Sequence, residues 1–254
     1  MNILKNVGKF KDYDKDRNNL TYQTTFLSAH NHFSTVSIRE VYYAFYRKFG
    51  KSHGIINELY WRDFYSNITY FFPYILKGQL SGKNQAFQKK YNSLNWSKNA
   101  RNFTKWCKGE TGFPIIDAGQ RQLNATGFMH NRCRMCTSMF LTKDLHISWQ
   151  EGEKYFANHL VDYSPMQNNG GWQWAASTGC DPQPYFRVFN PYLQSQKFDP
   201  EGVYIKKYIP ELKHCTGKLI HEPQQDLMTR DYPPPIVDHS IQRQEALALY
   251  KFKE

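Results

Sequence analysis

The residues best suited to chemistry lie in Asn168-Asn169-Gly170-Gly171-Trp172-Gln173-Trp174, which continues into Ala175-Ala176-Ser177-Thr178-Gly179. Two asparagines supply donors and acceptors, and two glycines can take positive φ and leave the backbone open to close approach. Two tryptophans add broad π faces. A planar heterocycle fits such a surface, but a Gly-Gly turn packed beneath two core tryptophans would use the same residues, so the heptad alone leaves both readings open.

Three further stretches carry reactive or binding side chains. In Glu58-Leu59-Tyr60-Trp61-Arg62-Asp63-Phe64-Tyr65, the acid, the indole and the guanidinium of Glu58, Trp61 and Arg62 fall at i, i+3 and i+4 and share one helical face. By itself this is a surface ion pair beside an aromatic. Asn131, Arg134, Met135 and Ser138 form a polar stripe at i, i+3, i+4 and i+7. Thr24-Thr25-Phe26-Leu27-Ser28 places three hydroxyls around a short turn, a composition able to hold phosphate.

The elements that must position these residues read as helices. Ser37-Ile38-Arg39-Glu40 has the form of a capping box, and Ile38, Val41, Tyr42, Phe45 and Phe49 follow at helical spacing before Gly50. A second helical pattern covers about 55–70. Ser97 is the expected N-cap of a helix that Gly109 stops, Pro114 suits the first turn of the next, and Gly127 ends it. Trp149 begins another, through Tyr155 and Phe156, and Ile241 to Lys253 reads as the last. Gly78 to Asn95 is a polar loop bearing Lys83, Lys89 and Lys90, and Pro233-Pro234-Pro235 punctuates the end of the chain. Strand alternation is scarce, so the expected fold is all-α and multi-helical, with residues 24–254 as one domain and 1–23 as a solvated polar lead-in.

Composition narrows the partners. The chain has 254 residues and a net charge of +11, which favours an anionic ligand, nucleic acid before membrane. Aromatics make up 17% of the chain and alternate with basic residues, suiting stacking combined with phosphate contacts. No apolar run is long enough to span a bilayer, and Met1-Asn2-Ile3-Leu4-Lys5 lacks a signal-peptide apolar region, so a soluble intracellular protein is expected. Five irregularly spaced cysteines read as reduced thiols. Cys133 and Cys136 have C-x-x-C spacing but no second ligand pair, and no metal is expected.

In order and spacing, the Trp172 heptad, Gly112 through Ala118 to His130-Asn131-Arg132-Cys133-Arg134-Met135, and the Glu58 to Tyr65 block closely resemble the flavin-binding helical domain of photolyases and cryptochromes, most nearly class I cyclobutane pyrimidine dimer photolyases. The resemblance runs from about Tyr13 to His239. It implies FAD held by Tyr13, Thr24, Thr25, Phe26, Leu27, Ser28, Asn131, Arg134, Asp162, Tyr163, Ser164 and Asn168, with Arg134 paired to Asp162 and Asn168 facing flavin N5. It implies DNA contacts from Arg17, Glu58, Trp61, Arg62, Asn131, Arg132, Met135, Trp174, Arg187 and Lys197, the pocket for the damaged bases being formed by Glu58, Trp61, Met135 and Trp174. Trp96, Trp149 and Trp172 match the family's electron relay. Chemistry is thereby assigned to Glu58, Asn131, Asn168 and the three relay tryptophans.

The implied activity is light-driven splitting of cyclobutane pyrimidine dimers in DNA by an electron from excited reduced FAD, on a lesion flipped out of the duplex. A cryptochrome-like photoreceptor and a basic DNA-binding remnant are the alternatives. The chain departs from the family pattern at Ser164, where a second acid is usual, and at Pro165, which would take away a backbone donor if flavin is met there through amides. Photolyases of this type also carry an N-terminal α/β antenna domain. No room for one precedes Tyr13 in this sequence, so the expected chain binds FAD without an antenna chromophore, acting alone or docked to a separately encoded antenna protein.

Overall fold

In the computed structural model, residues 3–76, 85–180, 186–223 and 229–251 are described, and they form helices and turns with no strand. A single β-bridge pairs Ser97 with Ile147. The first helices are α1 (Tyr13–Asp16), α2 (Leu27–His32), α3 (Ile38–Phe49) and α4 (Gly54–Phe71). Then come α5 (Ala100–Lys108), α6 (Pro114–Thr126), α7 (Asn131–Met139), α8 (Trp149–His159) and α9 (Pro165–Ala176). The last are α10 (Pro191–Phe198), α11 (Val203–Tyr208) and α12 (His239–Leu249), and a π-turn, Phe140–Asp144, prolongs α7. Part of the expected loop from Gly78 to Asn95, with Lys83, lies outside the described residues, as do Pro184 and Tyr185.

Two apolar cores hold the helices. The larger gathers Trp106, Phe113, Leu123, Phe140, Phe156 and Trp172. The smaller joins Phe10, Leu27, Val41, Phe45, Ile56 and Leu59. Phe45 is fully buried, a contribution of ~1.5–3 kcal/mol. Around these cores α9 packs against α8, α4 and α7, while α6 packs against α5, α7, α10 and α11. The charged N-terminal segment is not simply solvated: Phe10 lies 6.0 Å from the Phe45 ring, and Leu20 enters the larger core.

Helix ends mostly follow the sequence signals. Gly109 and Gly127 take positive φ and stop α5 and α6, a conformation that costs glycine little. Two caps differ. Ser37 precedes α3 but makes no capping bond with its side chain. Asn99 caps α5 in place of Ser97, accepting from Asn102 N at 3.0 Å, because the Ser97 backbone is drawn to His146 O at 2.7 Å.

Two buried ionisable groups fix the architecture. Asp117 of α6 accepts from Thr111 N (2.8 Å), Thr111 Oγ1 (2.6 Å), Gly112 N (3.0 Å) and the Tyr232 hydroxyl. Lys143 of the π-turn donates to Ala176 O at 3.0 Å and Ser177 Oγ at 3.1 Å, at the C-terminal end of α9. Its ammonium also lies 3.9 Å from the Phe186 ring centroid and 3.6 Å from that of Tyr250. The Tyr250 hydroxyl donates to the same Ala176 carbonyl at 2.6 Å. Burial pushes the Lys143 amine well below its ordinary range.

Candidate functional site

The heptad is helical, not a turn: it lies within α9, and neither Gly170 nor Gly171 has positive φ. The glycines serve space instead. A Cβ on Gly170 would stand 2.1 Å from Cδ1 of Tyr65, so its absence lets α4 seat that ring, whereas a Cβ on Gly171 would meet nothing within 4 Å. The Asn168 side chain donates Nδ2–H to Glu153 O at 3.0 Å, which leaves Oδ1 as an acceptor. Asn168 is half-buried, and its Oδ1 has no hydrogen-bond partner among the described residues. Asn169 does different work. It is fully buried, donates to the Glu153 carboxylate at 2.9 Å and accepts from Gln173 Nε2 at 2.8 Å.

At the start of α9, Pro165 occupies the first helical turn, where its missing N–H removes no helix bond. Ser164 bonds through its hydroxyl to Gln167, and Gln167 Nε2 donates to Arg62 O at 2.8 Å and Ser66 Oγ at 3.1 Å, tying α9 to α4. The Trp172 ring is buried against Phe156 at 4.9 Å and Trp106 at 6.1 Å. Its indole Nε1 has no acceptor among the described residues. A Cβ on Gly152 would stand 2.1 Å from Cη2 of this indole, so α8 must carry glycine there.

On α7, Arg134 Nη2 donates to both Asp162 oxygens, at 3.0 and 2.8 Å, and Nε donates to Met129 O at 2.8 Å. The Arg134 guanidinium stands over Phe128, whose ring meets Phe26 at 4.7 Å. This joins α7 to the hydroxyl-rich turn. Phe26 itself has φ of 51°, and Thr25 Oγ1 accepts from Leu27 N at 3.3 Å, while the Thr24 and Ser28 hydroxyls are uncommitted among the described residues. Tyr163 packs half-buried against the larger core. The polar stripe on α7 divides: Asn131 is exposed beside Met135 Sδ, but Ser138 is buried and bonds back to Arg134 O at 2.6 Å. His130 caps the helix through Nδ1, and burial pushes its pKa down to about 4.

Glu58 pairs with Arg17, not Arg62, which bonds Asp63 at 3.2 Å. Asp14 accepts from Gly54 N at 2.9 Å at the start of α4, and Arg132 of α7 donates to Asn18 at 2.6 Å. Residues 13–18 therefore bridge α4 and α7. Burial pushes the Glu58 carboxyl up, opposed by Arg17, and raises the adjacent Tyr13 phenol. Trp61 is 55% exposed on α4, with Phe64 against its edge at 5.5 Å. Arg187 lies 4.7 Å over Trp174, whereas Lys197 is exposed on α10 beside Phe198. Trp96 meets Tyr250 at 6.2 Å and Trp149 is buried, but among the described residues no ring contact joins Trp96, Trp149 and Trp172.

Several of these contacts escaped the sequence reading. Glu153, which orients Asn168, and Asn18, which holds Arg132, act across long sequence separations that local spacing does not encode. Gln167 and Tyr65 do lie inside the motifs, yet only packing reveals their parts. The residues suit a flat, polyanionic cofactor: Asn168 Oδ1 offers an acceptor with no partner among the described residues, Arg134 keeps donors beyond Asp162, and the Thr24 and Ser28 hydroxyls are available near Phe26. No group of His, Cys, Asp or Glu able to hold a metal occurs among the described residues, and Cys133 and Cys136 are buried free thiols.

Residues 55–252 match the FAD binding domain of DNA photolyase. A deoxyribodipyrimidine photo-lyase of Alkalihalophilus pseudofirmus is 46% identical over 241 residues, covering 90% of this chain and 49% of that protein. Its Escherichia coli counterpart is 48% identical over 200 residues, covering 77% of this chain and 41% of that one. The chain thus spans about half the length of these relatives. Among solved structures, the archaeal photolyase of Sulfolobus tokodaii, which contains two FAD molecules, superposes with a TM-score of 0.84 at 40% identity, covering 93% of this chain and 52% of that one. The Synechocystis cryptochrome gives 0.85 at 30% identity, covering 96% and 53%. The chain belongs to the family of DNA photolyase FAD-binding domains.

Proposed function

We propose that this chain binds FAD and repairs cyclobutane pyrimidine dimers in DNA under light. The observation that carries the reading is the convergence of α4, α7 and α9: an exposed indole and a half-buried acid on α4, next to a helix whose Asn168 keeps an acceptor without a partner among the described residues. Asn131, Arg134, Asp162, Tyr163, Ser164 and Asn168 would hold the isoalloxazine end, and Tyr13 with Thr24 through Ser28 the phosphates. Bound and reduced, FAD would supply light-driven one-electron chemistry that splits the two carbon–carbon bonds of the cyclobutane ring with no net redox change.

The chain's own residues bind and orient. Trp61 and Trp174 offer stacking faces to the flipped bases, and Met135 supplies a soft contact between them. Glu58, whose proton affinity burial raises, bonds a base carbonyl, with Arg17 fixing its carboxyl group. Arg17, Arg62, Arg132, Arg187 and Lys197 meet phosphates. Trp96, Trp149 and Trp172 would serve as the electron relay to the oxidised cofactor. Residues 24–254 form the FAD- and DNA-binding unit and 1–23 lead into it. A separately encoded antenna protein is a candidate docking partner, and the chain works wherever the DNA is. No helix among the described residues is long and apolar enough to cross a membrane.

The test is illumination of a dimer-containing oligonucleotide with purified protein whose flavin has been reduced. Repair whose action spectrum follows reduced FAD is the expected outcome. Bound flavin without any dimer splitting would favour the photoreceptor reading, and absence of flavin under several expression conditions would sink both.

A further inference from the structure

We infer that the outer face of α3 and α4 binds an unpaired DNA strand at a place separate from the lesion pocket. Four tyrosines from two helices meet there. Tyr42 stacks on Tyr46 with centroids 5.5 Å apart and planes 13° from parallel, meets Tyr43 edge-on at 5.4 Å, and approaches Tyr60 at 6.3 Å with the two hydroxyls 3.5 Å apart. Despite this mutual packing, Tyr43, Tyr46 and Tyr60 remain 51%, 43% and 52% exposed. Ring faces of this size are ordinarily buried, and leaving three in one patch points to a partner.

Charge indicates its kind. Arg39, Arg47 and Lys48 are exposed on α3, against one acid, Glu40. The Arg47 guanidinium lies 5.7 Å over the Tyr43 ring. Beside it opens a cavity of about 410 Å³ lined by Ser37, Arg39, Glu40, Tyr43 and Arg47, among others. Cations alternating with open π faces suit a strand whose phosphates meet the guanidinium groups while its bases stack on tyrosine. A duplex keeps its bases stacked on one another and offers no face to these rings, so the strand must be unpaired. Only the choice of DNA as the polymer rests on the proposed function.

The probe is a fluorescent oligothymidylate of about 15 nucleotides, titrated by anisotropy at several salt concentrations. Tyr43→Ser combined with Arg47→Ser should weaken binding about tenfold and flatten the slope of log affinity against log salt by roughly 0.7, the share of one phosphate contact on a single strand. Tyr43→Phe, which keeps the ring, should bind as the wild type does. Both positions are exposed, and thermal melts establish that the variants remain folded. Unchanged affinity in the double variant, loss in Tyr43→Phe equal to that in the double variant, or no binding by the wild type at low salt would each overturn the inference. So would a change in self-association alone, which would mark the patch as a protein contact. Light-driven repair of a short blunt duplex, measured on the same variants, should not change. A wild type that repairs dimers while oligothymidylate ignores Tyr43 removes this inference alone; one that binds through Tyr43 but never repairs removes only the proposed function.

Discussion

Asp117 and Asn168 both present polar atoms inside helical walls, yet they commit them differently. Asp117 takes four hydrogen bonds from Thr111, Gly112 and Tyr232, so its carboxylate has nothing left to offer. Asn168 commits its amide N–H to Glu153 O and keeps its carbonyl oxygen without a partner among the described residues. A saturated buried group pins chain to chain; a half-committed one, held rigid by its other half, is prepared for something the chain does not supply. By this measure Asn169 stands with Asp117, although it adjoins Asn168 in sequence.

The contrast can be broken or sharpened by substitution. The largest effect is expected at Asp117: Asp117→Ala strands four buried donors and should cost ~3–5 kcal/mol by urea unfolding, with flavin per folded molecule unchanged. A cost below ~1 kcal/mol would mean that saturation does not identify structural groups. His130 comes next. Its folded pKa of about 4 lies below the ordinary value of 6.5, so both states are neutral above pH 6.5, and below it the unfolded chain takes up a proton that the fold refuses. Stability should therefore be complete above pH 6.5 and fall by ~2–3 kcal/mol as pH drops toward 4. His130→Asn, which keeps an acceptor for Arg132 N, should flatten that decline, and an unaltered pH profile would remove His130 as its source.

Trp172→Phe should cost only ~1–2 kcal/mol, because the indole N–H it deletes has no acceptor to strand among the described residues. Flavin photoreduction should slow severalfold while repair with chemically reduced flavin persists; unchanged photoreduction would take Trp172 out of the relay. The smallest stability effect belongs to Glu58→Ala, below ~1 kcal/mol for a half-buried ion pair that solvent still screens. Its effect should appear as poorer discrimination between damaged and undamaged duplex, and equal loss for both would count against the role of Glu58.

The helices were legible because caps, glycine stops and apolar spacing are local signals; Gly109, Gly127 and Pro114 punctuate the chain as read. The motif residues were legible as types. Their partners were not. Helical spacing offers Glu58 only Arg62 as an ion-pair partner, whereas tertiary packing brings Arg17 to it. The Gly-Gly pair looked like a turn because glycine's backbone freedom is visible in sequence, whereas the Tyr65 ring that requires Gly170 is not. Ser138 kept the period of the polar stripe, but it is buried and its hydroxyl turns back to Arg134 O.

The cage around Lys143 also sets an order of events during synthesis. Tyr250 follows Ala176 by 74 residues. At ~5–20 residues per second, roughly 4–15 s pass between the emergence of the carbonyl and that of the ring that covers it. Until then the lysine meets its helix end without its full aromatic shelter and can remain hydrated and charged. Nascent α9 is consequently sealed late, and a pause in translation between Ala176 and Tyr250 would lengthen the interval in which the wall of the flavin site stands open to chaperones and proteases.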